Sequence, residues 1–265
     1  MGKLRAGHRK IALVTGASGG LGKGIAQAAA REGWDLVLTA RGTEAIEAFA
    51  EDWRKRHGIA ITSLAQDLSV PGGAQALFEQ VQSRGLAIDV LVNNAGIGVY
   101  GEFIDTPLDD ELQMLRLNTE APTVLSKRFL PQLIERGGRI LNITSIAAFP
   151  PGPYLAAYYG TKAYLLRFSE GIAEELAPRG VTVTAYCPGP TETGFQKRAN
   201  ARRSALFQRG MPSADEVGAA AWQACMAGRR VAVHVPGGTL HIDWREDGVW
   251  MEGPTAHVYD GVWHD

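Results

Sequence analysis

Short apolar runs alternate with longer amphipathic segments along most of the chain, and this alternation limits the possible fold more than any other feature. Seven runs rich in Val, Ile and Leu have the length of buried strands: 11–15, 35–40, 59–65, 88–92, 139–144, 181–187 and 231–235. Helical patterns lie between them, at 21–31, 43–56, 72–83, 109–134, 154–177 and 213–227. Strands that are apolar on both faces are typical of a parallel sheet covered on both sides. The pattern therefore predicts an α/β fold, a doubly wound and mostly parallel sheet of about seven strands with helices on both faces.

Composition narrows the classes of protein that the chain can belong to. A length of 265 residues with 45% hydrophobic and 21% charged residues fits one soluble α/β domain. A formal net charge of -1 gives no reason to expect a nucleic acid or an anionic membrane as partner. The apolar run Ile11–Val14 is too short for a secretory leader. Cys187 and Cys225, far apart in sequence, form no disulfide framework or metal-ligand spacing, so we expect no metal and a cytoplasmic location.

A glycine-rich turn joins the first predicted strand to its helix, with the sequence Thr15-Gly16-Ala17-Ser18-Gly19-Gly20-Leu21-Gly22. Glycines at such a turn allow a tight bend, let a pyrophosphate approach the backbone, and let the helix pack closely on the strand. The helix N-terminus then offers free N–H groups and the positive end of its dipole to phosphate. Within a βαβ unit the turn predicts a Rossmann-like dinucleotide site, and an ordinary strand-to-helix turn is the alternative.

The end of the second strand bears on which dinucleotide binds. NAD-binding sites commonly have an acidic residue there, about 20 residues beyond the glycines, to bind the ribose 2′-hydroxyl. This chain has Thr39-Ala40-Arg41-Gly42 instead. An arginine suits a 2′-phosphate, because its planar guanidinium makes charge-assisted hydrogen bonds to phosphate oxygens. Arg41 therefore favours NADP(H), with NAD(H) as the alternative if Arg41 only faces solvent.

Tyr158 and Lys162 are four residues apart in a predicted helix and so share one face. A free phenol has a pKa near 10, and lowering that pKa toward neutrality takes roughly 3–4 kcal/mol. An ammonium about 4 Å away supplies about that much at an effective dielectric near 20. Ser145 follows the predicted strand 139–144 and so lies at the expected ligand crevice. Alone, a Tyr-x-x-x-Lys pair is unspecific, because many helices contain one by chance.

Taken together, the motifs resemble those of the short-chain dehydrogenase/reductase family over residues 11–237. The resemblance rests on the glycine motif, Asn93-Asn94-Ala95-Gly96, Asn118, Ser145, Tyr158 with Lys162 thirteen residues beyond that serine, and Pro188-Gly189 followed by Thr193. Six motifs in the right order and spacing are highly specific, so the chain is identified as a member. The resemblance implies an NAD(P)-dependent oxidoreductase acting on CH–OH or C=O groups, with a single domain whose core is 11–237.

The resemblance implies a role for each catalytic candidate. Tyr158 is expected to be the general acid in reduction and the base in oxidation, while Lys162 lowers the pKa of its phenol and binds the nicotinamide ribose. Ser145 is expected to orient the carbonyl and stabilise charge on its oxygen, and Asn118 to hold a water that links Lys162 to solvent. Tyr159 also lies near the face of Lys162, but the thirteen-residue spacing from Ser145 selects Tyr158.

The resemblance also implies a set of cofactor contacts. Members that bind NADP often carry a second cation inside the glycine motif, where this chain has Gly19, and that departure weakens the case for NADP(H). A homodimer or homotetramer is implied as well, with the helix that bears Tyr158 near the subunit contacts. The expected cofactor-binding residues are Gly16, Ser18, Gly20, Leu21, Gly22, Arg41, Asp67, Leu68, Asn94, Ala95, Gly96, Tyr158, Lys162, Pro188, Gly189, Thr191 and Thr193.

Three segments bear on the substrate. Apolar residues near the catalytic motifs predict a hydrophobic or aromatic ketone or alcohol, with plain core packing as the alternative: Ile97, Val99, Tyr100, Ala147, Phe149, Pro150, Pro151 and Tyr154. Segment 191–212 occupies the place of the family's substrate lid and is rich in Lys and Arg, which predicts an anionic ligand or, alternatively, a solvated helix face. Residues 236–265 lack strand patterning, and we interpret 238–265 as an acidic arm that packs on the lid or forms a subunit contact.

The main functional prediction is an NADP(H)-dependent carbonyl reductase or secondary-alcohol dehydrogenase that acts on a small molecule. An NAD-dependent alcohol dehydrogenase of the same family is one alternative. A non-catalytic dinucleotide-binding regulator is another, although such a protein has no need of Ser145, Tyr158 and Lys162. A third keeps the fold but carries out a different redox reaction, such as epimerisation or C=C reduction.

Overall fold

A computed structural model describes residues 9–193, 211–235, 238–245 and 248–252. The greater part of the expected lid and the chain beyond 252 thus lie outside the described residues. The described strands form one sheet of nine, in the order β3-β2-β1-β4-β5-β6-β7-β8-β9. In chain order the strands are β1 (Ile11–Thr15), β2 (Asp35–Ala40), β3 (Ile61–Ala65), β4 (Val90–Asn93), β5 (Arg139–Ile143), β6 (Thr182–Pro188), β7 (Val231–Val235), β8 (Gly238–Arg245) and β9 (Gly248–Glu252).

Seven α-helices lie within the described residues, and they cover both faces of the sheet. They are α1 (Gly20–Arg31), α2 (Glu44–His57), α3 (Gly73–Ser83), α4 (Leu108–Leu115), α5 (Ala121–Arg136), α6 (Ala156–Leu176) and α7 (Ala214–Met226). On one face α1, α2 and α7 pack on strand residues such as Val14 and Leu38. On the other, α3, α5 and α6 pack on residues such as Leu13 and Val37. None of the described helices is long and apolar enough to cross a membrane.

The first seven strands confirm the doubly wound parallel sheet that the sequence predicts. All of their neighbouring pairs are parallel, and the strand order reverses direction between β1 and β4. Alternate residues of these strands are buried against opposite helix layers, which explains why their sequences are apolar without interruption. Because parallel strands end at one edge, the loops after β1, β2, β3, β4, β5 and β6 meet there, where ligands bind in such folds.

The prediction that residues 236–265 lack strands is wrong for the part that the structure describes. Strand β8 pairs antiparallel with β7, and β9 pairs antiparallel with β8. The sequence of β8, Gly-Thr-Leu-His-Ile-Asp-Trp-Arg, alternates apolar and polar residues from Leu240 onward. Such alternation is typical of a half-buried antiparallel strand. A search for continuous apolar runs overlooks it, because only strands buried on both faces produce such runs.

The single helix predicted over 109–134 is interrupted. A π-helical turn, Arg116–Glu120, separates α4 from α5. Asn118 lies in this turn and is buried. Such turns add one residue to the helical repeat and often occur at functional sites. The π-helical turn contains Asn118, whose side chain forms hydrogen bonds to Ile97 in the loop after β4.

Candidate active site

A cavity of about 450 Å³ lies at the carboxyl edge of the parallel strands. It is lined both by the glycine-rich turn after β1 and by Ser145, Tyr158 and Lys162. The other predicted site residues that line it are Arg41, Asp67, Leu68, Asn94, Ala95, Gly96, Pro188, Gly189, Thr191 and Thr193. Gly22 and Asn118 are absent from the described lining, but each lies next to residues that line it: Gly22 beside Gly16 and Asn94, and Asn118 beside Gly96. The structure thus brings residues from six separate loops into one crevice.

The glycine-rich turn has a geometry that only glycines permit. Gly16 and Gly20 have positive φ, 65° and 54°, which L side chains rarely adopt. A Cβ on Gly22 would lie 2.3 Å from the carbonyl oxygen of Gly16 and 2.5 Å from Nδ2 of Asn94, so the helix packs against the turn itself. No side chain of the described residues caps α1, and its first turn carries no acid. Its terminal N–H groups therefore remain available to an anion, and the turn fits a dinucleotide phosphate.

The turn after β4 is joined to the glycine-rich turn by hydrogen bonds. The Thr15 hydroxyl accepts hydrogen bonds from the backbone N–H groups of Asn94 and Ala95, at 2.9 and 3.0 Å. In return, Nδ2 of Asn94 donates to the carbonyl oxygens of Thr15 (2.8 Å) and Gly16 (3.2 Å). These contacts hold two walls of the cavity in a fixed relation. The two sequence motifs therefore form one structural unit.

The side chain of Asn118 is hydrogen-bonded to the loop after β4. Its Oδ1 accepts from the backbone N–H of Ile97 at 3.1 Å, and its Nδ2 donates to the carbonyl of Ile97 at 2.9 Å. The second Nδ2 hydrogen goes to the Thr161 hydroxyl at 3.1 Å, and that hydroxyl donates to the carbonyl of Tyr158 at 2.7 Å. Asn118 thus links the π-helical turn, the loop after β4 and helix α6. Its role in holding a water stays a prediction.

Ser145, Tyr158 and Lys162 lie together on the inner side of the cavity. The Ser145 side chain is close enough to the Tyr158 phenol to affect its pKa, and the Ser145 hydroxyl accepts a hydrogen bond from the backbone N–H of Ala147 at 3.1 Å. The ammonium of Lys162 lies 5.8 Å from the centre of the Tyr158 ring and donates to the carbonyl of Ile143 at 3.0 Å. Both Tyr158 and Lys162 are almost completely buried. The arrangement can hold an oxygen next to a phenolic proton.

The expected lowering of the Tyr158 pKa does not arise from the polypeptide alone. Burial raises the pKa of the phenol, and the neighbouring Ser145 side chain offsets this only in part. Burial likewise lowers the pKa of Lys162, to about 8. Both shifts have one physical cause, since a buried site disfavours the charged form of each group. Helical spacing accounts for attraction between the two groups and not for their desolvation, so a lowered Tyr158 pKa in the presence of bound cofactor stays a prediction.

The opposite end of the cavity contains the residues expected to contact the adenosine. Arg41 lines it just after β2 and is exposed. The Asp67 carboxylate accepts hydrogen bonds from the backbone N–H (2.8 Å) and the hydroxyl (2.6 Å) of Ser69. Burial acts to raise the pKa of Asp67, but the bonds from Ser69 and the charge of Arg41 outweigh it and hold the pKa below its usual value. Asp67 is therefore anionic at neutral pH.

Several residues that line the cavity could not be predicted from the sequence motifs. Gln66 and Ser69 lie close to Asp67 in the loop just after β3. Because such loops line the ligand crevice of a parallel sheet, their position predicts that they line the cavity. Gln113 comes from α4, and its Nε2 donates to the hydroxyl of Ser69 at 3.1 Å. Neither Gln113 nor Leu155 belongs to a motif, so only the fold reveals them. The remaining lining residues that were not predicted as site residues are Gly19, Thr39, Ala40, Leu117, Ile143, Thr144, Ile146, Tyr159 and Pro190.

The residues predicted to form the substrate pocket divide into three groups. Ile97, Ala147 and Pro150 line the cavity. Val99 and Tyr100 pack with Ala147, Leu155 and Tyr158 in a small core cluster, as the packing alternative predicts. Phe149, Pro151 and Tyr154 are outside the described lining. The side chains of Phe149 and Tyr154 are more than 50% exposed.

Comparisons with known proteins identify the family. The short chain dehydrogenase family matches residues 10–204. The chain is 34% identical over 185 residues to 3-oxoacyl-(acyl-carrier-protein) reductase FabG of Aquifex aeolicus (strain VF5), which covers 69% of this chain and 75% of that protein. A short-chain dehydrogenase from Sphingobium yanoikuyae, solved in complex with NADPH, is similar with a TM-score of 0.77 and 33% identity, over 84% of this chain and 87% of that one.

A second solved structure points the same way. The bulky-bulky ketone specific alcohol dehydrogenase from Comamonas testosteroni is similar with a TM-score of 0.74 and 30% identity, over 84% of this chain and 85% of that one. The chain belongs to the short-chain dehydrogenase/reductase family. It is an oxidoreductase that uses a nicotinamide dinucleotide. The prediction of an enzyme is therefore confirmed, and the alternative of a non-catalytic dinucleotide-binding regulator is not supported.

Proposed function

We propose that this enzyme transfers a hydride between NADP(H) and a hydrophobic or aromatic ketone or secondary alcohol, with Tyr158 as general acid and base. One observation carries the proposal. The phosphate-binding turn and the group of Ser145, Tyr158 and Lys162 line a single continuous cavity. A dinucleotide whose phosphates lie on the turn reaches toward that group with its other end. The arrangement meets the positional requirement of the reaction.

The residues present fit NADP(H). The N-terminus of α1 and the turn around Gly16 and Gly20 would hold the pyrophosphate, and Asp67 with Leu68 would contact the adenine. Arg41 would bind the 2′-phosphate, because it is a cation just after β2, where NAD-binding sites commonly have an acidic residue instead. When bound, the nicotinamide supplies or accepts the hydride. Solved relatives described as complexes with NADPH and with 5-hydroxy-NADP support this choice over NAD(H).

The side chains of the site then have complementary tasks in carbonyl reduction. The Ser145 hydroxyl, fixed by the N–H of Ala147, donates a hydrogen bond to the carbonyl oxygen and orients it. Tyr158 gives its phenolic proton to the same oxygen as negative charge develops there. The Lys162 ammonium stabilises the resulting phenolate, which offsets part of the desolvation that raises the pKa of Tyr158. In alcohol oxidation the proton moves in the opposite direction.

The substrate preference follows from the lining beside Tyr158. Ile97, Ala147, Pro150 and Leu155 are apolar and line this end of the cavity. Apolar walls favour a substrate that loses hydrophobic surface to them on binding. The similarity to an alcohol dehydrogenase described as specific for bulky-bulky ketones supports this preference.

We also propose that the enzyme is a cytoplasmic homo-oligomer. Both cysteines, Cys187 and Cys225, are free and buried, which suits a reducing compartment. A groove along α5 and α6 is lined partly by Leu115, Val124 and Tyr164. Leu115 and Tyr164 are among the exposed large hydrophobic residues, and such surfaces favour subunit contacts. Sedimentation of the purified enzyme tests the oligomeric state.

Steady-state reduction of acetophenone with NADPH, followed by loss of absorbance at the nicotinamide band, tests the proposed reaction. Tyr158→Phe removes the proton donor and keeps the ring, so we expect kcat to fall by on the order of 10²–10⁴-fold. Tyr159→Phe is the matched control one residue away, and we expect it to retain turnover. The assignment fails if Tyr159→Phe, and not Tyr158→Phe, abolishes turnover. A purified enzyme that binds no nicotinamide nucleotide refutes the whole proposal.

A further inference from the structure

The loop between Ser145 and Tyr158 is held rigidly beside the cavity. Three prolines, at 150, 151 and 153, fix backbone φ angles within it. The N–H of Leu155 donates to the carbonyl of Gly152 at 3.1 Å, and the N–H of Gly101 donates to the carbonyl of Tyr154 at 3.0 Å. Tyr154 has a φ of 64°, the only positive value among the described residues other than glycine. Strain of this kind persists only where the surroundings determine the conformation, and it is common at functional sites.

Gly152 is the point of this loop that contacts Tyr159. A Cβ on Gly152 would lie 2.3 Å from Cδ2 of Tyr159 and 2.4 Å from its Cε2 and Cγ. The aromatic ring therefore packs directly on the backbone of Gly152, which is buried. The φ of Gly152 lies outside the left-handed region. Glycine is required here because of the ring and not because of the backbone conformation.

Tyr159 also faces the reacting groups. It lines the same cavity as Ser145, Tyr158 and Leu155. Its ring centre is 6.2 Å from that of Tyr158, in an edge-to-face arrangement at 74°. The ring thus has the backbone of Gly152 as a contact and the cavity as the adjacent open space. Any group that displaces the ring from Gly152 reduces the space beside Tyr158.

We propose that the Tyr159 ring is the wall that sets the size of the substrate pocket beside Tyr158, and that Gly152 keeps this wall in place. This inference rests on the proposed ketone reduction and names the residues that determine its specificity. The ring, not the hydroxyl, performs this task, because the contacts of Tyr159 with Gly152 are made by ring carbons. As long as the ring is present, ketones with a large group on each side of the carbonyl are admitted only while it lies on Gly152.

The test compares kcat/KM for benzophenone with kcat/KM for acetophenone in a set of variants. Gly152→Ala displaces the ring, so the benzophenone-to-acetophenone ratio is expected to fall roughly tenfold or more, because small volume changes in an apolar pocket have effects of that size. Tyr159→Ala removes the wall and raises the ratio by a similar factor. The double variant Gly152→Ala/Tyr159→Ala has no ring to displace, so its ratio follows that of Tyr159→Ala.

Two controls separate the wall from general damage. Tyr159→Phe keeps the ring, so its ratio stays within about twofold of the wild-type value, well below the tenfold effect expected of a changed pocket. Gly160 lies next to Tyr159 in α6, and a Cβ there meets nothing within 4 Å, so Gly160→Ala leaves the ratio unchanged. Equal ratios for Gly152→Ala and Gly160→Ala overturn the proposal. So does a double variant that keeps the deficit of Gly152→Ala.

Failure of the proposed ketone reduction gives a different result, namely a wild-type enzyme that oxidises NADPH with neither ketone. The wall is then judged by binding, with the two ketones titrated into the protein–NADPH complex and followed by nicotinamide fluorescence. The same ranking of dissociation constants across the variants supports the wall. Equal affinities in all variants, or no binding to any of them, overturn it.

Discussion

Replacing Lys162 by methionine is expected to stabilise the protein while abolishing its activity. Lys162 is 5% exposed, and burial lowers its pKa from 10.5 to about 8. At about 1.4 kcal/mol for each tenfold change in proton affinity, holding the ammonium charged at pH 7 costs the folded state about 3 kcal/mol. Methionine has a similar shape and no charge. It loses the hydrogen bond to the carbonyl of Ile143 (3.0 Å), worth about 1 kcal/mol, which leaves a net gain of about 2 kcal/mol.

The gain depends on pH in a direction that follows from the shift. The folded-state pKa of Lys162 lies below its unfolded value, so the unfolded chain binds more protons between pH 8 and 10.5. The wild-type protein therefore becomes more stable as pH rises through this interval, and the full penalty is present below about pH 8. The advantage of Lys162→Met should thus be largest at pH 7 and should almost vanish by about pH 10.

Urea unfolding of both proteins at pH 7 and pH 10, without added nucleotide, measures this difference. Lys127 is an exposed lysine of α5, so Lys127→Met is the control and should change the free energy of unfolding by less than about 0.5 kcal/mol. Two results would refute the reasoning. One is a Lys162→Met protein no more stable than wild type at pH 7, and the other is a stability difference that is the same at both pH values.

Three further perturbations test separate parts of the site. Arg41→Ala should raise KM for NADPH about 10- to 100-fold and leave KM for NADH unchanged, because a charge-assisted hydrogen bond is worth roughly 1.5–3 kcal/mol; parallel changes for both cofactors would contradict the assignment. Gly22→Ala places a methyl group 2.3 Å from the carbonyl oxygen of Gly16, so thermal denaturation should reveal a loss of about 1–3 kcal/mol, with nucleotide binding weakened in fluorescence titrations. Thr161→Val removes the hydroxyl between Asn118 and the carbonyl of Tyr158 and should lower kcat roughly fivefold, as the loss of about 1 kcal/mol implies. Thr161→Ser should restore kcat, and a serine variant as slow as the valine variant would argue for a packing role instead.

Much of the parallel core could be predicted from the sequence because its signals are local. A strand buried on both faces must be apolar throughout, so β1, β2 and β7 were predicted with their observed bounds. The turn at 15–22 could also be predicted from the sequence, because its backbone conformations require glycine at fixed positions. Parallel strands end at one edge of the sheet, so the sequence also predicts that residues from distant motifs share a common crevice.

Other features depend on contacts between residues far apart in the chain. The sequence by itself determined which chemical groups are present, their order, and the parallel strands that carry most of them. The tertiary structure decided that β8 and β9 extend the sheet, that a π-helical turn directs Asn118 to Ile97, and that Gly152 accommodates the ring of Tyr159. It also decided the protonation tendencies of Tyr158 and Lys162. Their pKa values depend on how much water the surrounding chain excludes, and spacing along a helix contains no information about that exclusion.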